Sequence, residues 1–424
     1  MKLPGPPPGP FRRESWRSPL RGRWLTAVLG AALLVGMPVV IVTGLLSYAA
    51  YNPGLGANDI TPGKGPLGFY LFDWPTKPVW LYQVNQGLHV IGGLALTPIL
   101  LAKLWSVIPK LFSWPPVGSV AQAVERLSIA LLVGGVLFQF ATGIMNVQYW
   151  YPFPFSFYPA HLYGAWVFIG AFVAHVVIKL PQMVHSLRSR SLLDELRVPL
   201  SETRPESDPE DDELVATAPA ASTLSRRGLL GLVAGSSAGV LLLIVGQTLG
   251  GPLRQTALLA PRGRDYGDGP NDFQVNKPAA AAGVRSEQTG ADWRLELRGG
   301  TEDRRLSRED LVALEQHTYD LPIACVEGWS TVQRWTGVRL RDLAVMAGAP
   351  DARELFVESL QAGGAFSSTS FSADQVAADE SLLALRVNGV DLSLDHGFPA
   401  RIIIPAAPGV HCTKWVRRMT FARA

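Results

Sequence analysis

The sequence predicts a multi-domain protein, with an N-terminal all-α transmembrane bundle of about five helices and a C-terminal α+β domain. Of its 424 residues, 48% are hydrophobic and only 17% are charged, and the mean hydropathy is +0.17. That charge content is low for a soluble protein. The apolar residues are concentrated in long uncharged runs in the first half, whereas the last third has an ordinary globular mixture.

Five segments lack charged residues over a length that can cross a membrane. A helix needs ~20 apolar residues to cross the hydrocarbon core, and each segment offers about that many. The alternative is a set of buried helices in a large soluble protein, which five such runs disfavour. The five segments are Leu25–Ala50, Leu81–Ala102, Leu127–Trp150, Ala160–Ile178 and Gly228–Leu253.

Basic residues beside these segments predict the orientation of the chain. They cluster in the tail 1–24, at the edges of the second-to-third connection and in the fourth-to-fifth connection. In the loops 51–80 and 151–159 the only basic residues are Lys64 and Lys77. Because basic residues favour the cytoplasmic side, we expect the tail to be cytoplasmic and everything after Leu253 to lie outside the cytoplasm.

The connection 188–227 has a different composition. It contains prolines and the acidic run Glu210–Glu213, and it has little apolar surface to bury. This composition predicts a disordered cytoplasmic linker.

Two arginines, Arg226 and Arg227, directly precede the fifth apolar segment. The pattern resembles a twin-arginine export signal placed internally. Ordinary positive-inside flanking of a membrane helix explains it equally well.

Three histidines within the apolar segments are candidate metal ligands, since an ionisable residue in a membrane helix suggests a functional site. His89 and His161 lie near the starts of the second and fourth segments, and we expect similar membrane depths for both. His175 follows His161 on the fourth segment. Their separation is about four helical turns, which returns His175 to nearly the same helix face roughly 21 Å away.

The histidine pattern resembles the four-helix cytochrome b subunits of respiratory dehydrogenases. The first segment has no histidine, so the resemblance implies one haem b, held by His89 and His161, with His175 as the alternative ligand. Packing or hydrogen bonding between helices is the competing interpretation.

From about Ala291 the chain alternates short strands and helices, which predicts an α+β domain. Ser307 and Asp310 form a capping pattern before a helix. The expected helices are Leu311–Gln316 and Leu340–Ala347, and the expected strands are Asp292–Arg298, Asp320–Val326, Glu354–Leu360, Leu382–Val387 and Arg401–Ile404.

Two groups of motifs in this domain resemble the sulfite oxidase family of molybdopterin enzymes. The first is the run from Cys325 to Ser330 with Trp335–Leu340, and the second comprises Asn388-Gly389, Asp395–Arg401 and Thr413–Trp415. The resemblance extends over roughly residues 271–424. It implies that Cys325 is the protein ligand to molybdenum. It also implies that the pterin is bound by Asn271, Gln274, Val275, Ser359, His396, Arg401, Cys412, Thr413 and Lys414.

The residue types agree with that chemistry. A soft thiolate suits a metal with sulfur-rich coordination, and a metal-bound cysteine is deprotonated. Gly328 lets the backbone approach a bulky ligand, and Arg401 and Lys414 suit an anionic phosphate. Taken singly, Cys325 could be a core cysteine and the two cations solvated surface charges. We expect Cys412 to be a reduced thiol beside the pterin.

The chain ends nine residues after Trp415. We therefore expect the β-sandwich dimerisation domain of sulfite oxidases to be absent, an organisation closer to the protein-methionine-sulfoxide reductase catalytic subunit. Here the haem-binding part is expected in the same chain. No flavin or nicotinamide motif is visible.

The expected organisation has six parts. These are a cytoplasmic tail (1–24), a cytochrome b-like membrane domain (25–187), the acidic linker (188–227), a fifth transmembrane helix (228–253), a linker that begins the cofactor-binding region (254–290) and the molybdopterin-binding catalytic domain (291–424).

The expected function is oxygen-atom transfer outside the cytoplasm by a multi-pass protein of the cell membrane. An S-oxide or N-oxide is reduced with electrons that a haem relays from the quinol pool. The alternatives are a sulfite-type oxidase, a non-catalytic membrane protein that binds a partner, and a haem-only electron carrier. The net charge of +3 argues against a nucleic-acid partner.

Overall fold

The structure is a computed structural model that describes residues 5–59, 72–115, 117–301, 303–364 and 367–422. Lys64, which contributed to the expected orientation, lies outside these residues. The chain divides into two compact units. The first comprises Met1–Ile41, Ile91–Asn146 and Trp150–Leu242, and the second comprises Val42–Val90, Val147–Tyr149 and Leu243–Ala424.

The five predicted apolar helices are confirmed. The described residues contain five helices that are long and apolar enough to cross a membrane. They are α1 (Arg23–Ala50), α2 (Leu81–Leu111), α3 (Val120–Val147), α4 (Phe157–Arg188), and α6 (Arg226–Leu242) continued by the short α7 (Gly246–Leu249).

Apolar side chains hold the first unit together. One cluster joins α1, α2, α3 and α4 through Leu33, Leu100, Val136 and Phe168. A second cluster packs Trp24, Leu25 and Leu29 of α1 against Val233 of α6.

The segment 188–227 differs from the disordered linker that its composition predicts. It contains α5 (Leu192–Arg197), capped by Ser191. Glu206 accepts hydrogen bonds from the main-chain N–H groups of the first turn of α1, and Asp212 accepts one from Arg23. Its carboxylates are therefore caps and ion-pair partners, which satisfy helix-terminal donors without an apolar core.

The second unit contains the predicted α+β domain, which has two five-stranded sheets. In the first sheet the strand order is β2-β1-β10-β5-β6, with β1 and β10 parallel. In the second sheet the order is β3-β4-β7-β8, and β9 also pairs with β7. The strands are β1 (Leu295–Arg298), β2 (Arg304–Leu306), β3 (His317–Ala324), β4 (Ser330–Arg339), β5 (Glu354–Ser359), β6 (Ser368–Ser372), β7 (Leu382–Val387), β8 (Val390–Asp391), β9 (Arg401–Ile403) and β10 (Val416–Ala422).

Short helices fill the gaps between the strands: α8 (Ala279–Ala282), α9 (Arg308–Ala313), α10 (Leu340–Met346) and α11 (Ala373–Ala377). The capping box predicted at Ser307 and Asp310 is present at the start of α9. A large apolar core lies against the first sheet and includes Leu295, Leu355, Phe371 and Phe421.

The second unit also includes residues of two of the long apolar helices, the last nine of α1 and the first ten of α2. The expected boundary placed all of 25–187 in one membrane domain. The contacts instead place Val42–Val90 in the same unit as the sheets, because polar side chains from this segment bond to loops and strands of the α+β domain.

Candidate active site

Cys325 lies in the tight loop that joins β3 to β4. Its N–H donates to the carbonyl of Trp329 at 2.9 Å, and its carbonyl accepts from Gly328 N–H at 3.0 Å. Gly328 has φ +87°, and a β-carbon there would lie 2.8 Å from Cβ of Val90. Glycine is therefore required at this position by both conformation and space.

The Cys325 side chain is buried, and burial raises the pKa of its thiol above the usual value. The Arg262 charge and main-chain N–H groups of the loop act in the opposite direction. A thiol in this setting is neutral by itself and ionises when a cationic metal binds it.

A small cavity, lined by twelve residues, opens beside Cys325. Six of its lining residues are among the predicted cofactor site: Gln274, Val275, Cys325, His396, Arg401 and Lys414. Six others were not predicted: Phe273, Asn276, Ile323, Trp329, Thr331 and Gly409. Several of these adjoin predicted residues along the chain, which is the signal that could have identified them.

Two buried cations face this cavity, and none of its twelve lining residues is acidic. Arg401 donates to the carbonyls of His396 and Cys412, at 3.1 and 3.2 Å, and lies over the Trp335 ring. Among the described residues its Nε has no hydrogen-bond partner. Burial lowers the pKa of Arg401 to about 10.

Lys414 is the second cation. Its ammonium group donates to the carbonyls of Lys277 and Asp395. Burial, followed by the Arg401 charge, lowers the pKa of Lys414 to about 6. Without an anion, Lys414 is therefore largely neutral at pH 7, although the Asp395 charge acts in the opposite direction. Among the described residues neither Arg401 nor Lys414 forms an ion pair with a carboxylate, and an anionic ligand would stabilise the charged forms of both.

His396 forms one wall of the cavity. Its ring stacks on Phe273 with 3.7 Å between centroids, and Nε2 lies 2.9 Å from the carbonyl oxygen of Asn271. Burial, followed by the Arg401 charge, lowers the pKa of His396 to about 4. The imidazole is therefore neutral at pH 7, and it contributes hydrogen bonding rather than charge.

The remaining predicted pterin residues support the cavity without lining it. Asn271 bonds to the main chain of Asp391 and Ser393. The Ser359 hydroxyl donates to Lys414 O at 2.7 Å and accepts from Gln361 N–H at 3.1 Å. The Thr413 hydroxyl donates a hydrogen bond to the Thr369 hydroxyl, and the Cys412 carbonyl accepts one from Arg401. Both Cys325 and Cys412 are buried free thiols.

A carboxylate within the cysteine loop was also missed. Glu327 is buried, pairs with Arg262 at 3.2 Å and accepts a hydrogen bond from the Trp329 indole. Burial raises the pKa of Glu327 to about 8. Arg262 also donates to the carbonyl of Asn276, so this network joins two residues of the cavity wall.

The helix histidines lie against glycines. In the second unit, a β-carbon on Gly44 would lie 2.8 Å from Cε1 of His89. In the first unit, Nδ1 of His161 lies 2.8 Å from the Thr142 hydroxyl, and Gly143 faces its ring. His175 belongs to the first unit. The described residues contain no group of three or more His, Cys, Asp or Glu suited to a metal ion.

Comparison with known proteins identifies the C-terminal part. Residues 281–424 match the family described as "Oxidoreductase molybdopterin binding domain". This part of the chain is a molybdopterin-binding oxidoreductase domain, and it is similar in sequence to the sulfite oxidase family. We refer to it below as the molybdopterin domain.

Two curated relatives illustrate the extent of the match. "Uncharacterized oxidoreductase YuiH" of Bacillus subtilis is 32% identical over 133 residues, which are 31% of this chain and 66% of that protein. "Sulfite oxidase" of Gallus gallus is 35% identical over 100 residues, 22% of each chain. The chain thus spans just under two thirds of the first relative and under a quarter of the second.

A solved structure, the sulfane dehydrogenase SoxCD from Paracoccus pantotrophus, is 27% identical and covers 31% of this chain and 38% of its own, with a TM-score of 0.29. The family assignment therefore rests on sequence. The lining residues fit the cofactor that the family name implies, because they combine a buried thiol with two basic side chains and no acidic one. Within the described part of the chain, Arg401 Nε also has no hydrogen-bond partner.

Proposed function

We propose that the protein is a membrane-bound molybdopterin oxidoreductase that transfers an oxygen atom outside the cytoplasm. The convergence of Cys325, Arg401 and Lys414 on one cavity without carboxylates is the observation that carries this proposal. We further propose that the substrate is an S-oxide or N-oxide, and that a haem relays electrons from membrane quinol.

Each residue has a defined task in this proposal. Cys325 holds molybdenum through its thiolate, Arg401 and Lys414 neutralise the phosphate of the pterin, and neutral His396 orients the ring system by hydrogen bonding. The bound cofactor supplies two-electron oxygen-atom exchange. Trp329 and Phe273 shield the cavity from water, which strengthens its electrostatic interactions.

The haem part of the proposal rests on His89 and His161. Metal-binding histidines usually engage their second ring nitrogen in a hydrogen bond, as His161 does with Thr142. Loss of the haem absorption in His89→Ala and His161→Ala, with retention in His175→Ala, is the expected result. Retention in both of the first two variants would refute the ligand assignment.

The direction of the reaction can be tested with one preparation. Detergent-purified protein is first reduced with a quinol, and haem absorption is followed after dimethyl sulfoxide, methionine sulfoxide or trimethylamine N-oxide is added. In a separate experiment, sulfite is added to the oxidised protein and haem absorption is followed again. Reoxidation by an S-oxide or N-oxide supports the reductase. Haem reduction by sulfite would support the oxidase instead, in line with the relatives named sulfite oxidase.

The variant Cys325→Ala separates the catalytic proposal from simpler ones. A molybdenum enzyme loses substrate-dependent reoxidation but still accepts electrons from quinol at the haem. If haem reoxidation in this variant equals that of wild type, Cys325 takes no part in electron transfer and the protein is a haem-only carrier. A wild-type domain that is folded but contains no molybdenum would indicate a non-catalytic binding protein.

A further inference from the structure

The loop that carries Cys325 is held by the N-terminal turns of α2. Gln86 Nε2 donates to the Val326 carbonyl at 2.6 Å, and Gln83 Nε2 donates to the Ser330 hydroxyl at 2.8 Å. Gly328 packs against Val90. All of these residues belong to the second compact unit. Three positions on one face of a membrane helix therefore contact both ends and the centre of the loop.

The Gln86 amide has a fixed orientation. Its side chain is buried, and its Oε1 accepts a hydrogen bond from the Ser47 hydroxyl of α1 at 2.7 Å. The amide NH₂ is thereby directed at the Val326 carbonyl. Neighbouring Asn85 makes a second link between α2 and α1, by donating to the Thr43 carbonyl at 2.9 Å.

The next carbonyls of the loop are held in the same way by α7. Gln247 Nε2 donates to Glu327 O at 3.2 Å, and the Thr248 hydroxyl donates to Gly328 O. Carbonyls of three successive residues after Cys325 thus accept side-chain hydrogen bonds from membrane helices. Buried carbonyls need such partners, so the loop conformation depends on these helices.

We propose that Gln86 is a positioning residue for Cys325: it fixes the peptide plane next to the cysteine and ties it to the helix that carries His89. Gln86 and His89 are three residues apart and lie on the same side of α2. The membrane part thereby completes the cysteine loop in addition to anchoring the domain. The role of Cys325 as metal ligand rests on the proposed function, whereas the loop-holding role of Gln86 is independent of it.

The first test needs no cofactor. Amide hydrogen exchange is measured on detergent-purified full-length chain for wild type, Gln86→Met and the control Gln148→Met. Gln86→Met keeps the side-chain length but removes the donor, and we expect exchange of the Cys325 and Gly328 amides to rise about three- to tenfold. The Gln148 amide donates to Leu259 O at 3.0 Å and, among the described residues, to no residue of the cysteine loop, so its variant should match wild type there.

A second readout follows the metal ligand itself. In chain loaded with molybdenum, the electron paramagnetic resonance signal of the half-reduced centre should shift in Gln86→Met, with molybdenum content and haem spectrum unchanged. Ser47→Ala removes only the hydroxyl that orients Gln86, and it should produce the same changes at smaller amplitude. This milder variant keeps the test valid if Gln86→Met does not fold.

The proposal is overturned if both variants show wild-type amide exchange and an unshifted paramagnetic resonance signal. It is also overturned if amide exchange increases evenly over the sheets and helices. A chain that binds no molybdenum yet shows the loop-confined increase would overturn the proposed function while supporting the positioning role of Gln86.

Discussion

Two buried arginines, one in each compact unit, lie in opposite electrostatic settings. Arg226 at the start of α6 has carboxylates of Glu195 and Glu206 at 3.4 and 3.6 Å. Arg401 of β9 donates to two main-chain carbonyls, and no acidic residue lines the cavity that it faces. Both side chains are almost completely excluded from solvent.

The difference indicates what each arginine is for. A buried charge is costly unless it is paired, and its partner can come from the chain or from a ligand. Arg226 is neutralised by the chain, so it serves the fold of the first unit. In the described part of the chain Arg401 and Lys414 form no ion pair with a carboxylate, which is the reason for proposing that they bind the anionic cofactor of the molybdopterin domain.

The largest expected effect comes from removing the paired arginine. Arg226→Met leaves buried Glu206 without its cation, whereas Glu195 keeps Arg190. We expect a loss of roughly 3–5 kcal/mol in the free energy of unfolding. Denaturant unfolding in detergent, monitored by amide hydrogen exchange of the helices of the first unit, measures it. An unchanged midpoint would show that the ion pairs contribute nothing to the fold.

Arg401→Met should behave in the opposite way. The cofactor-free domain remains folded, because the substitution removes a charge that was buried without compensation. The pterin content of purified protein should fall about tenfold or more, since a charge-assisted contact to phosphate is lost. Unfolding midpoint and pterin fluorescence are measured on the same sample. If Arg401→Met instead unfolds most of the protein, and the fraction that stays folded has normal pterin content, then Arg401 serves the fold and not the cofactor.

Lys414 adds a pH dependence to the same contrast. Burial lowers its pKa to about 6 in the absence of an anion, compared with ~10.4 in an unfolded chain. Between these values the unfolded chain binds the extra proton, so the stability of cofactor-free protein should rise as pH increases from about 6 to about 10. The anion reverses this trend, because it binds best when Lys414 is protonated.

Unfolding midpoints and cofactor release are therefore measured across this pH range. In Lys414→Met this contribution should disappear from both profiles, while the contributions of other groups remain. Profiles that coincide with those of wild type would show that Lys414 does not titrate in this window.

The smallest expected effect is at Ser359. Its hydroxyl is engaged within the chain, in the contacts to Lys414 and Gln361. Loss of these hydrogen bonds in Ser359→Ala should lower the free energy of unfolding by about 1–2 kcal/mol. Pterin content should equal that of wild type. A loss of pterin comparable to that in Arg401→Met would mean that the hydroxyl contacts the cofactor, as the family resemblance implied.

Short motifs and strong periodicity allowed much of the molybdopterin domain to be predicted from the sequence. The strand Leu382–Val387 and the start of the helix at Leu340 were predicted at their observed positions, because local patterning determines them. Cys325, Arg401 and Lys414 line one cavity, and their roles as cofactor ligands stay a prediction.

Contacts between distant parts of the chain were not predictable. The acidic segment is ordered because Glu206 caps a helix that begins at Arg23, a partner far away in sequence. The interaction of Gln86 with the cysteine loop likewise joins residues 240 positions apart. Composition describes each segment alone, so it cannot reveal a partner that only the tertiary fold provides.

The central claim is that Cys325 holds molybdenum, and the two buried cysteines allow a matched test. Full-length wild type, Cys325→Ser and Cys412→Ser are expressed with molybdate and purified in detergent. Metal content is then measured together with the number of sulfur ligands from X-ray absorption. We predict about one molybdenum per wild-type chain, one sulfur ligand fewer or no metal in Cys325→Ser, and a wild-type centre in Cys412→Ser. Wild-type chain without molybdenum, or an altered centre only in Cys412→Ser, would contradict the account.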